Sequence, residues 1–420
     1  MQVTASLDVD VVAVETHDEL NLLLELTAPV IADTQMRAPA TLVVVLDRSG
    51  SMAGERLEGA QRALRDLVDR LDPADSFGLI TFDDEAAVVI PAGPVKDKDR
   101  IKAAIDAVLP GGMTDLSAGY LRGLQEVRRV VGIGTSRVLL ISDGHANAGI
   151  TDPDRMSQVA AKAAGKAVST TTLGFGLGYD ESLLGAIARG GNGAELFAED
   201  ADTAIGLIAH EVDGLLAQSL AAASLLLRLD PAVARVRIAN DLPTHAVPDG
   251  IMIELGGFLS GEQRKLVLTF AVPGLPTLGL ASIATLELRY VTLPALVEET
   301  LTVPVHVNVV PGDQAAGRIP NPVVVSELVY LRAQASKREA SRRLQSGDTD
   351  AALDQLRAAR VSVDDAIASA PPLLAAELRE ESAMLNGLID DATDGQVSRA
   401  SKRMSADSSL KSRTRGRRDR

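Results

Sequence analysis

The architecture of this chain is set by the run Thr41-Leu42-Val43-Val44-Val45-Leu46-Asp47-Arg48-Ser49-Gly50-Ser51. A threonine followed by an unbroken aliphatic stretch is typical of a parallel strand buried on both faces. One carboxylate and two hydroxyls then follow at the carboxyl end of that strand. Open α/β sheets bind ligands at this edge, and hard oxygen ligands suit a small cation such as Mg²⁺. We therefore expect a cation site here.

Two later segments offer further oxygen ligands. Gly111-Gly112-Met113-Thr114-Asp115 lies between two helical patterns and is therefore a loop that carries a hydroxyl and a carboxylate. Residues 136–142 form a second apolar strand pattern, which ends in Asp143-Gly144. A second buried strand that ends in a carboxylate would deliver it to the same sheet edge.

The order Asp-x-Ser-x-Ser, then Thr, then Asp resembles the metal-ion-dependent adhesion site (MIDAS) of von Willebrand factor type A (VWA) domains. The resemblance covers about residues 39–218, and the matching metal ligands are Asp47, Ser49, Ser51, Thr114 and Asp143. The serine and threonine hydroxyls would bind the cation, and the aspartates would add charge directly or through water. Asp115 is expected to hydrogen-bond a coordinated water or a site hydroxyl.

The resemblance also implies a mode of action. The cofactor would be Mg²⁺, with Mn²⁺ or Ca²⁺ as alternatives, and an open coordination position would take an Asp or Glu carboxylate from a protein partner. Some bacterial cytosolic proteins of this kind act beside AAA+ ATPases. This sequence has no phosphate-binding ATPase motif, so such a partner would be a separate protein.

Periodicity predicts a multidomain chain of α/β, all-β and α parts. From Leu42 strands and helices alternate, which predicts a Rossmann-like, doubly wound VWA domain over residues 39–218. The predicted strands are 41–47, 76–82, 86–91, 136–142, 169–175 and 194–198. The predicted helices are 55–71, 98–108, 116–130, 153–167, 180–188 and 201–217.

The segments on either side of this domain are rich in strand patterns. Residues 3–14 and 20–28 alternate with period two, which predicts a β-hairpin within residues 1–37. Residues 220–312 show short strands separated by Pro and Gly. An isolated hairpin is marginally stable. We therefore expect both segments to form one β-sandwich into which the VWA domain is inserted.

The C-terminal part returns to a helical pattern. Residues 316–392 predict a helical bundle or arm, and residues 393–420, rich in Ser, Arg and Lys, predict a disordered basic tail. That tail has three interpretations: a solubilising segment, a contact for nucleic acid or an anionic membrane, or a segment that folds back on the acidic body. The helical part is expected to serve packing or partner docking.

Composition limits the classes of function. The chain has 420 residues, no cysteine and a net charge of −15, which excludes a disulfide scaffold and a thiolate zinc site. Residues 397–420 carry +7, so the remainder carries −22, and nucleic-acid binding is not expected outside the basic tail. With no secretory signal and no apolar run long enough to span a membrane, we expect a cytoplasmic protein.

The sequence therefore predicts a Mg²⁺-dependent interaction module, a scaffold or adaptor, and not an enzyme. A metal-dependent hydrolase using the same site is the main alternative. It would need a general base, and His145 is the only histidine near the site in the sequence. A non-catalytic regulator of a separate ATPase or kinase-linked complex is the third possibility.

Overall fold

The computed structural model describes residues 1–31, 37–130 and 135–416. Its strands are β1 (Gln2–Leu7), β2 (Val11–Ala13), β3 (Asp18–Thr27), β4 (Ala40–Asp47), β5 (Ser76–Phe82), β6 (Ala86–Pro94), β7 (Thr135–Ser142), β8 (Val168–Phe175), β9 (Asn192–Ala198), β10 (Gln218–Leu229), β11 (Arg235–Ile238), β12 (Thr244–Val247), β13 (Gly250–Leu259), β14 (Gln263–Val272), β15 (Gly279–Thr292) and β16 (Val297–Val310). Its helices are α1 (Glu55–Arg70), α2 (Lys98–Asp106), α3 (Leu116–Val130), α4 (Pro153–Ala164), α5 (Glu181–Gly190), α6 (Ala201–Leu216), α7 (Gly312–Ala316), α8 (Pro322–Gln345), α9 (Thr349–Ile367), α10 (Pro372–Thr393) and α11 (Val397–Arg413).

The central α/β domain is built on one six-stranded sheet in the order β6-β5-β4-β7-β8-β9, in which β6 is antiparallel. Helices α1, α2 and α6 cover one face, and α3, α4 and α5 cover the other. Along β4, Leu42, Val44 and Leu46 enter one core, whereas Val43 and Val45 enter the other. This two-sided burial explains the unbroken aliphatic run, and the predicted Rossmann-like, doubly wound fold is confirmed.

Aspartates define where several helices of this domain begin. The side chains of Asp97, Asp152, Asp180 and Asp200 accept hydrogen bonds from backbone N–H groups in the first turns of α2, α4, α5 and α6. Those N–H groups have no partner inside the helix, so a carboxylate cap stabilises each helix start. These caps hold the helices at their predicted places between the strands.

Strands from both sides of the α/β domain share two further sheets. Their orders are β1-β3-β14-β11 and β12-β13-β10-β15-β16-β2, and the two sheets enclose one aliphatic core. The central strand β3 pairs antiparallel with both β1 and β14, so that Leu24 lies opposite Ala5 and Leu266. Within the predicted hairpin, β2 instead leaves this sheet and pairs in parallel with β16. Residues 32–36 of that segment lie outside the described residues.

The C-terminal helices α8, α9, α10 and α11 pack around a separate aliphatic core. Helix α8 also contacts the sheet that contains β3 and β14, where Val324, Leu328 and Leu331 pack against Leu23 and Val267. The helical pattern predicted for residues 316–392 is confirmed by α8, α9 and α10. Among the described helices, none combines the length and the apolar character needed to cross a bilayer.

The prediction of a disordered tail over residues 393–420 is wrong for residues 397–413, which form α11. Ala400 and Met404 of this helix are fully buried in the helical core. Its basic side chains meet acidic partners: the Lys402 ammonium contacts Glu181, and Lys411 lies 2.9 Å from Glu381. The prediction failed because the composition of this segment does not show that acidic residues elsewhere in the chain neutralise its positive charges. Residues 417–420 lie outside the described residues.

The buried ammonium of Lys337 allows a test of how α11 is held. It lies between Glu381 and Asp407 with none of its side chain exposed. Breaking a buried ion pair leaves uncompensated charge, so Lys337→Met is expected to lower the free energy of unfolding by about 3–5 kcal/mol. Urea unfolding followed by circular dichroism measures this. The control Arg357→Met removes an exposed pair with Asp354 and is expected to cost at most about 1 kcal/mol.

The same cluster gives the effect of Lys337→Met a pH dependence. Burial would raise the pKa of Glu381 and Asp407, but Lys337 and Lys411 outweigh burial and lower both pKa values. Carboxyl groups with depressed pKa values stabilise the folded state above their unfolded pKa of about 4, and this stabilisation is lost as the pH falls further. The difference between wild type and Lys337→Met should therefore shrink at acidic pH. Equal costs for Lys337→Met and Arg357→Met at neutral pH would contradict this account.

Candidate metal site

Asp47 is the buried anchor of the loop that follows β4. It is 0% exposed. Its Oδ1 accepts a hydrogen bond from the Ser49 N–H at 2.8 Å, and its Oδ2 accepts one from the Ser142 hydroxyl at 2.6 Å. The loop then turns so that the Oγ atoms of Ser49 and Ser51 lie 3.1 Å apart. Two hydroxyls are thus held side by side above a fixed carboxylate.

Asp143 brings the second carboxylate to the same place. Strand β7 pairs in parallel with β4, with Ile141 opposite Leu46, so the carboxyl ends of the two strands are neighbours. Asp143 is 1% exposed, and its Oδ1 accepts a hydrogen bond from the Ser51 hydroxyl at 2.7 Å. The sheet register therefore joins two segments that lie far apart in the sequence.

Backbone hydrogen bonds attach the third segment to the loop after β4. The Gly111 N–H donates to the Arg48 carbonyl at 2.6 Å, and the Gly50 N–H donates to the Gly112 carbonyl at 3.0 Å. These two bonds cross between the loops in opposite directions. They place the turn that precedes Thr114 directly against the serine loop.

Gly144, which follows β7, lies near the hydroxyls of both Ser51 and Thr114. A Cβ built on Gly144 would lie 3.5 Å from the Ser51 Oγ and 3.7 Å from the Thr114 Oγ1. The Thr114 N–H donates to the Asn147 side chain at 3.0 Å, and the Asn147 N–H donates back to the Thr114 carbonyl at 3.1 Å. All three segments of the expected site therefore meet at one edge of the sheet.

Asp115 accepts hydrogen bonds from the first turn of α3, and its expected contact with a coordinated water stays a prediction. Its Oδ1 accepts hydrogen bonds from the Ser117 hydroxyl at 2.7 Å and from the Ala118 N–H at 2.9 Å. Asp115 therefore caps the first turn of α3. Among the described residues its side chain has no hydrogen bond to Ser49, Ser51 or Thr114. It supports Thr114 through the backbone by fixing the start of the helix.

Three supporting residues were not predicted from the sequence. Ser142 holds Asp47, and Asn147 holds Thr114. The Arg56 guanidinium donates to Asp143 Oδ2 and to the Ser51 carbonyl. Ser142 stands directly before Asp143 in the strand pattern, so its place at the sheet edge could have been inferred. Arg56 lies at the start of α1, and nothing in the linear sequence indicates that it reaches Asp143.

The electrostatics of the site favour a cation. Burial raises the pKa of Asp47, and the nearby Asp143 carboxylate adds to this effect, whereas hydrogen bonds from Ser142 and Ser49 act against it. Two buried carboxylates thus share a small space in which one charged donor, Arg56, reaches one of them. Additional positive charge would stabilise this arrangement.

The donor set fits a small octahedral cation. Mg²⁺ binds oxygen at about 2.0–2.1 Å, so neighbouring ligands of an octahedron lie about 3 Å apart. The 3.1 Å between the Ser49 and Ser51 hydroxyls matches that spacing. Within the described ranges, no three His, Asp or Glu side chains come together at a metal site. An ion here would therefore depend on hydroxyl ligands.

Comparison with known proteins identifies the family of the α/β domain. Residues 41–210 match the von Willebrand factor type A domain model. This part of the chain is a VWA domain. The solved structure of a von Willebrand factor type A protein from Catenulispora acidiphila has a TM-score of 0.75 at 14% identity, covering 97% of this chain and 96% of that one. The ArnB paralog VWA2 from Sulfolobus acidocaldarius has a TM-score of 0.66 at 13% identity, with 97% and 98% covered. These likenesses extend the shared fold beyond the VWA domain.

Relatives in sequence cover less of the protein. A Synechocystis protein is 29% identical over 56% of this chain and 58% of its own length. YfbK of Escherichia coli is 33% identical over 37% of this chain and 27% of its length. Human inter-alpha-trypsin inhibitor heavy chain H3 is 28% identical over 39% of this chain and 20% of its length. The chain thus spans less than two thirds of the length of each of these relatives.

Gly111 tests how tightly the Thr114 loop is packed. A Cβ at this position would lie 1.9 Å from Asp83 Oδ2, and that carboxylate is paired with Arg48 at 2.7 Å. Gly111→Ala is therefore expected to lower the free energy of unfolding by about 1–3 kcal/mol. The control Gly206→Ala lies in α6 with open space around it and should stabilise by up to about 1 kcal/mol. Thermal unfolding compares the two, and a Gly111→Ala variant as stable as wild type would show that the loop is not packed as described.

Proposed function

We propose that this protein is a Mg²⁺-dependent protein–protein interaction module, a scaffold or adaptor, in which the MIDAS metal binds an Asp or Glu carboxylate of a partner. The observation that carries this proposal is the pair of adjacent serine hydroxyls between two buried carboxylates. Mn²⁺ and Ca²⁺ are the alternative ions. Hydroxyl-rich coordination leaves such an ion strongly attractive to an external carboxylate.

The hydrogen bonds suggest how the site residues would divide the work. Ser49, Ser51 and Thr114 would contact the ion through neutral oxygens. Each carboxylate already accepts two hydrogen bonds, Asp47 from Ser49 and Ser142, and Asp143 from Ser51 and Arg56. We therefore propose that the aspartates orient the hydroxyls and hold metal-bound water. A hydroxyl or a water would then lie between each carboxylate and the ion. Neutral ligands nearest the ion favour capture of a charged partner group.

Apolar side chains on the site loops support a protein as the partner. Met113, next to Thr114, is 58% exposed, and Leu177 is 51% exposed. Leu177 is followed by Gly178, and a Cβ added to this glycine would lie 2.9 Å from the Asp143 carbonyl oxygen. Leu177 is therefore next to the Asp143 segment. A partner that presents a carboxylate could bury both side chains around the metal contact, as protein interfaces commonly do. The similarity to VWA-containing relatives agrees with an interaction module.

We favour binding over hydrolysis at this site. His145, the candidate general base, is 70% exposed, and its Nδ1 lies 3.7 Å from Asp180. A histidine on the surface beside another carboxylate is poorly placed to activate a metal-bound water. We therefore propose that this protein is not an enzyme. That the partner is a separate AAA+ ATPase or a kinase-linked complex stays a prediction. The cytoplasmic location also stays a prediction.

We further propose that residues 1–37 and 220–312 constitute one β-sandwich domain that carries the VWA domain as an insertion. Support comes from the pairing of β3 with β14 and from the single core between the two sheets. Such a base would fix both ends of the inserted domain. It would present the MIDAS edge on a rigid support.

Isothermal titration with Mg²⁺ tests the proposed site through Thr114. Thr114→Val keeps the shape of the side chain but removes the hydroxyl, so the affinity for Mg²⁺ should fall at least about 10-fold. The matched control is Thr244→Val on the exposed strand β12, which should bind as wild type does. Absence of Mg²⁺ binding by the wild type, or equal affinities for all three proteins, would contradict the proposal.

Arg56 gives a prediction in the opposite direction. Its guanidinium lies on Asp143 and would repel an arriving divalent cation, whereas the Ser51 hydroxyl still orients the other carboxylate oxygen. Arg56→Gln is therefore expected to raise the affinity for Mg²⁺ by about 10-fold, since this charge repulsion is of the order of 1–2 kcal/mol. Arg65→Gln is the control because Arg65 is on the same helix, is equally exposed at 40% and pairs with Asp106.

The two arginine variants are compared by the same calorimetric titration. Unchanged affinity in Arg65→Gln together with tighter binding in Arg56→Gln supports the assignment. Weaker Mg²⁺ binding by Arg56→Gln would mean that the guanidinium helps to hold the site and does not compete with the ion.

A further inference from the structure

A cavity of about 440 Å³ lies where the VWA domain, the sandwich and α11 meet. It is lined by the starts of β7, β8 and β9, by β10 and β13, and by the end of α11. The metal site lies at the opposite edge of the sheet. Strand β7 leads from Thr135 at the cavity to Ser142 at the metal site, a distance of about 23 Å at about 3.3 Å per residue. This cavity is therefore separate from the proposed MIDAS.

Arg413 supplies a buried positive charge to the cavity wall. It is 8% exposed and donates to the Ala188 carbonyl at 3.1 Å and to the Asn192 side chain at 2.6 Å. In the part of the chain that the structure describes, no carboxylate lies within 4.0 Å of its guanidinium. Arginine has five N–H donors, so these two contacts leave donors for a ligand.

The other two arginines of the cavity wall already have acidic partners. Arg137 pairs with Glu211, and Arg264 pairs with Glu262 at 2.8 Å. Burial lowers the pKa of Arg413 to about 10; Asp241 opposes this shift, and the nearby Arg264 adds to it. Arg413 therefore remains charged at neutral pH, and the Asp241 and Glu211 carboxylates offset part of the cost of burying that charge.

Three non-glycine residues around the cavity have a left-handed backbone conformation. Ala167, Asn192 and Ala222 all line the cavity and have positive φ angles of 59°, 52° and 50°. A non-glycine residue in this region costs on the order of 1–2 kcal/mol, and such residues cluster at binding sites. Gly256 adds a close approach, because a Cβ there would lie 2.6 Å from the Asn192 side chain.

We propose that this cavity binds a small organic monocarboxylate, with its carboxylate on the Arg413 guanidinium and its apolar part against Leu196, Leu207 and Leu242 of the cavity wall. Guanidinium and carboxylate form paired, charge-assisted hydrogen bonds. A single negative charge balances Arg413, which has no ion-pair partner among the described residues. A cavity of this size at a domain junction, with both apolar and charged groups in its wall, is typical of small-ligand sites.

A tryptophan reporter makes binding measurable. The chain contains no tryptophan, and Leu410 lines the cavity at 39% exposure, so Leu410→Trp places a single fluorophore at its mouth. Titration of this variant with hexanoate is expected to give a saturable fluorescence change. Hexanol, which has the same chain without the charge, should give a much weaker response. Titration of the unsubstituted protein by calorimetry checks that the reporter does not create the site.

Arginine variants on the reporter background assign the contact. Arg413→Gln should weaken hexanoate binding at least about 10-fold, and Arg413→Lys should weaken it less because it keeps the charge but not the paired donors. The control is Arg399→Gln, which removes another contact of α11 with the VWA domain, to Glu199 at 2.8 Å, and should leave the affinity unchanged. Circular dichroism checks that each variant is folded. If Arg413→Gln does not fold, the affinity of Arg413→Lys tests the contact instead.

Three results would overturn the proposal. The first is the absence of saturable hexanoate binding to the full chain. The second is an equal loss of affinity in the Arg413 and Arg399 variants, which would show that docking of α11 and not charge recognition matters. The third is saturable binding of inorganic phosphate in place of hexanoate, which would replace the carboxylate by another anion. None of these results depends on whether the MIDAS binds Mg²⁺.

Discussion

The site depends on one electrostatic constraint: two carboxylates, Asp47 and Asp143, are buried at the ends of adjacent parallel strands. The register of β4 on β7 brings them to the same edge, and removal from water makes their negative charge costly. Serine hydroxyls, one backbone N–H and Arg56 each offset part of that cost. In our proposal, a divalent cation bound by the hydroxyls offsets the rest, and its neutral nearest ligands leave it able to hold a partner's carboxylate.

Much of the fold could be predicted from the sequence because periodicity reports burial directly. The aliphatic residues 42–46 can be buried only by layers on both faces of the sheet, and the structure provides two separate cores for alternate residues. Each predicted site segment ends a strand or joins two helices. Topology therefore brings Ser51, Thr114 and Asp143 together once the sheet order is known.

The rest could not be predicted because it depends on contacts between distant segments. Helix α11 has a polar, basic sequence whose charges meet acidic groups of other domains, and composition alone therefore indicates disorder. The hydrogen bonds that Asp115 accepts from the first turn of α3 were not predicted. Arg56 reaches Asp143 across 87 residues of sequence. The same kind of long-range packing places Arg413 of α11 beside the VWA domain, where local patterns give no signal.

The most direct test of the central claim is anomalous diffraction from crystals of the full chain grown with Mn²⁺. The account predicts one strong anomalous peak about 2.1–2.2 Å from the hydroxyl oxygens of Ser49 and Ser51, with Thr114 beside it and an exposed coordination position. A Mn²⁺ peak elsewhere, or none at this edge of the sheet at saturating metal, would contradict it.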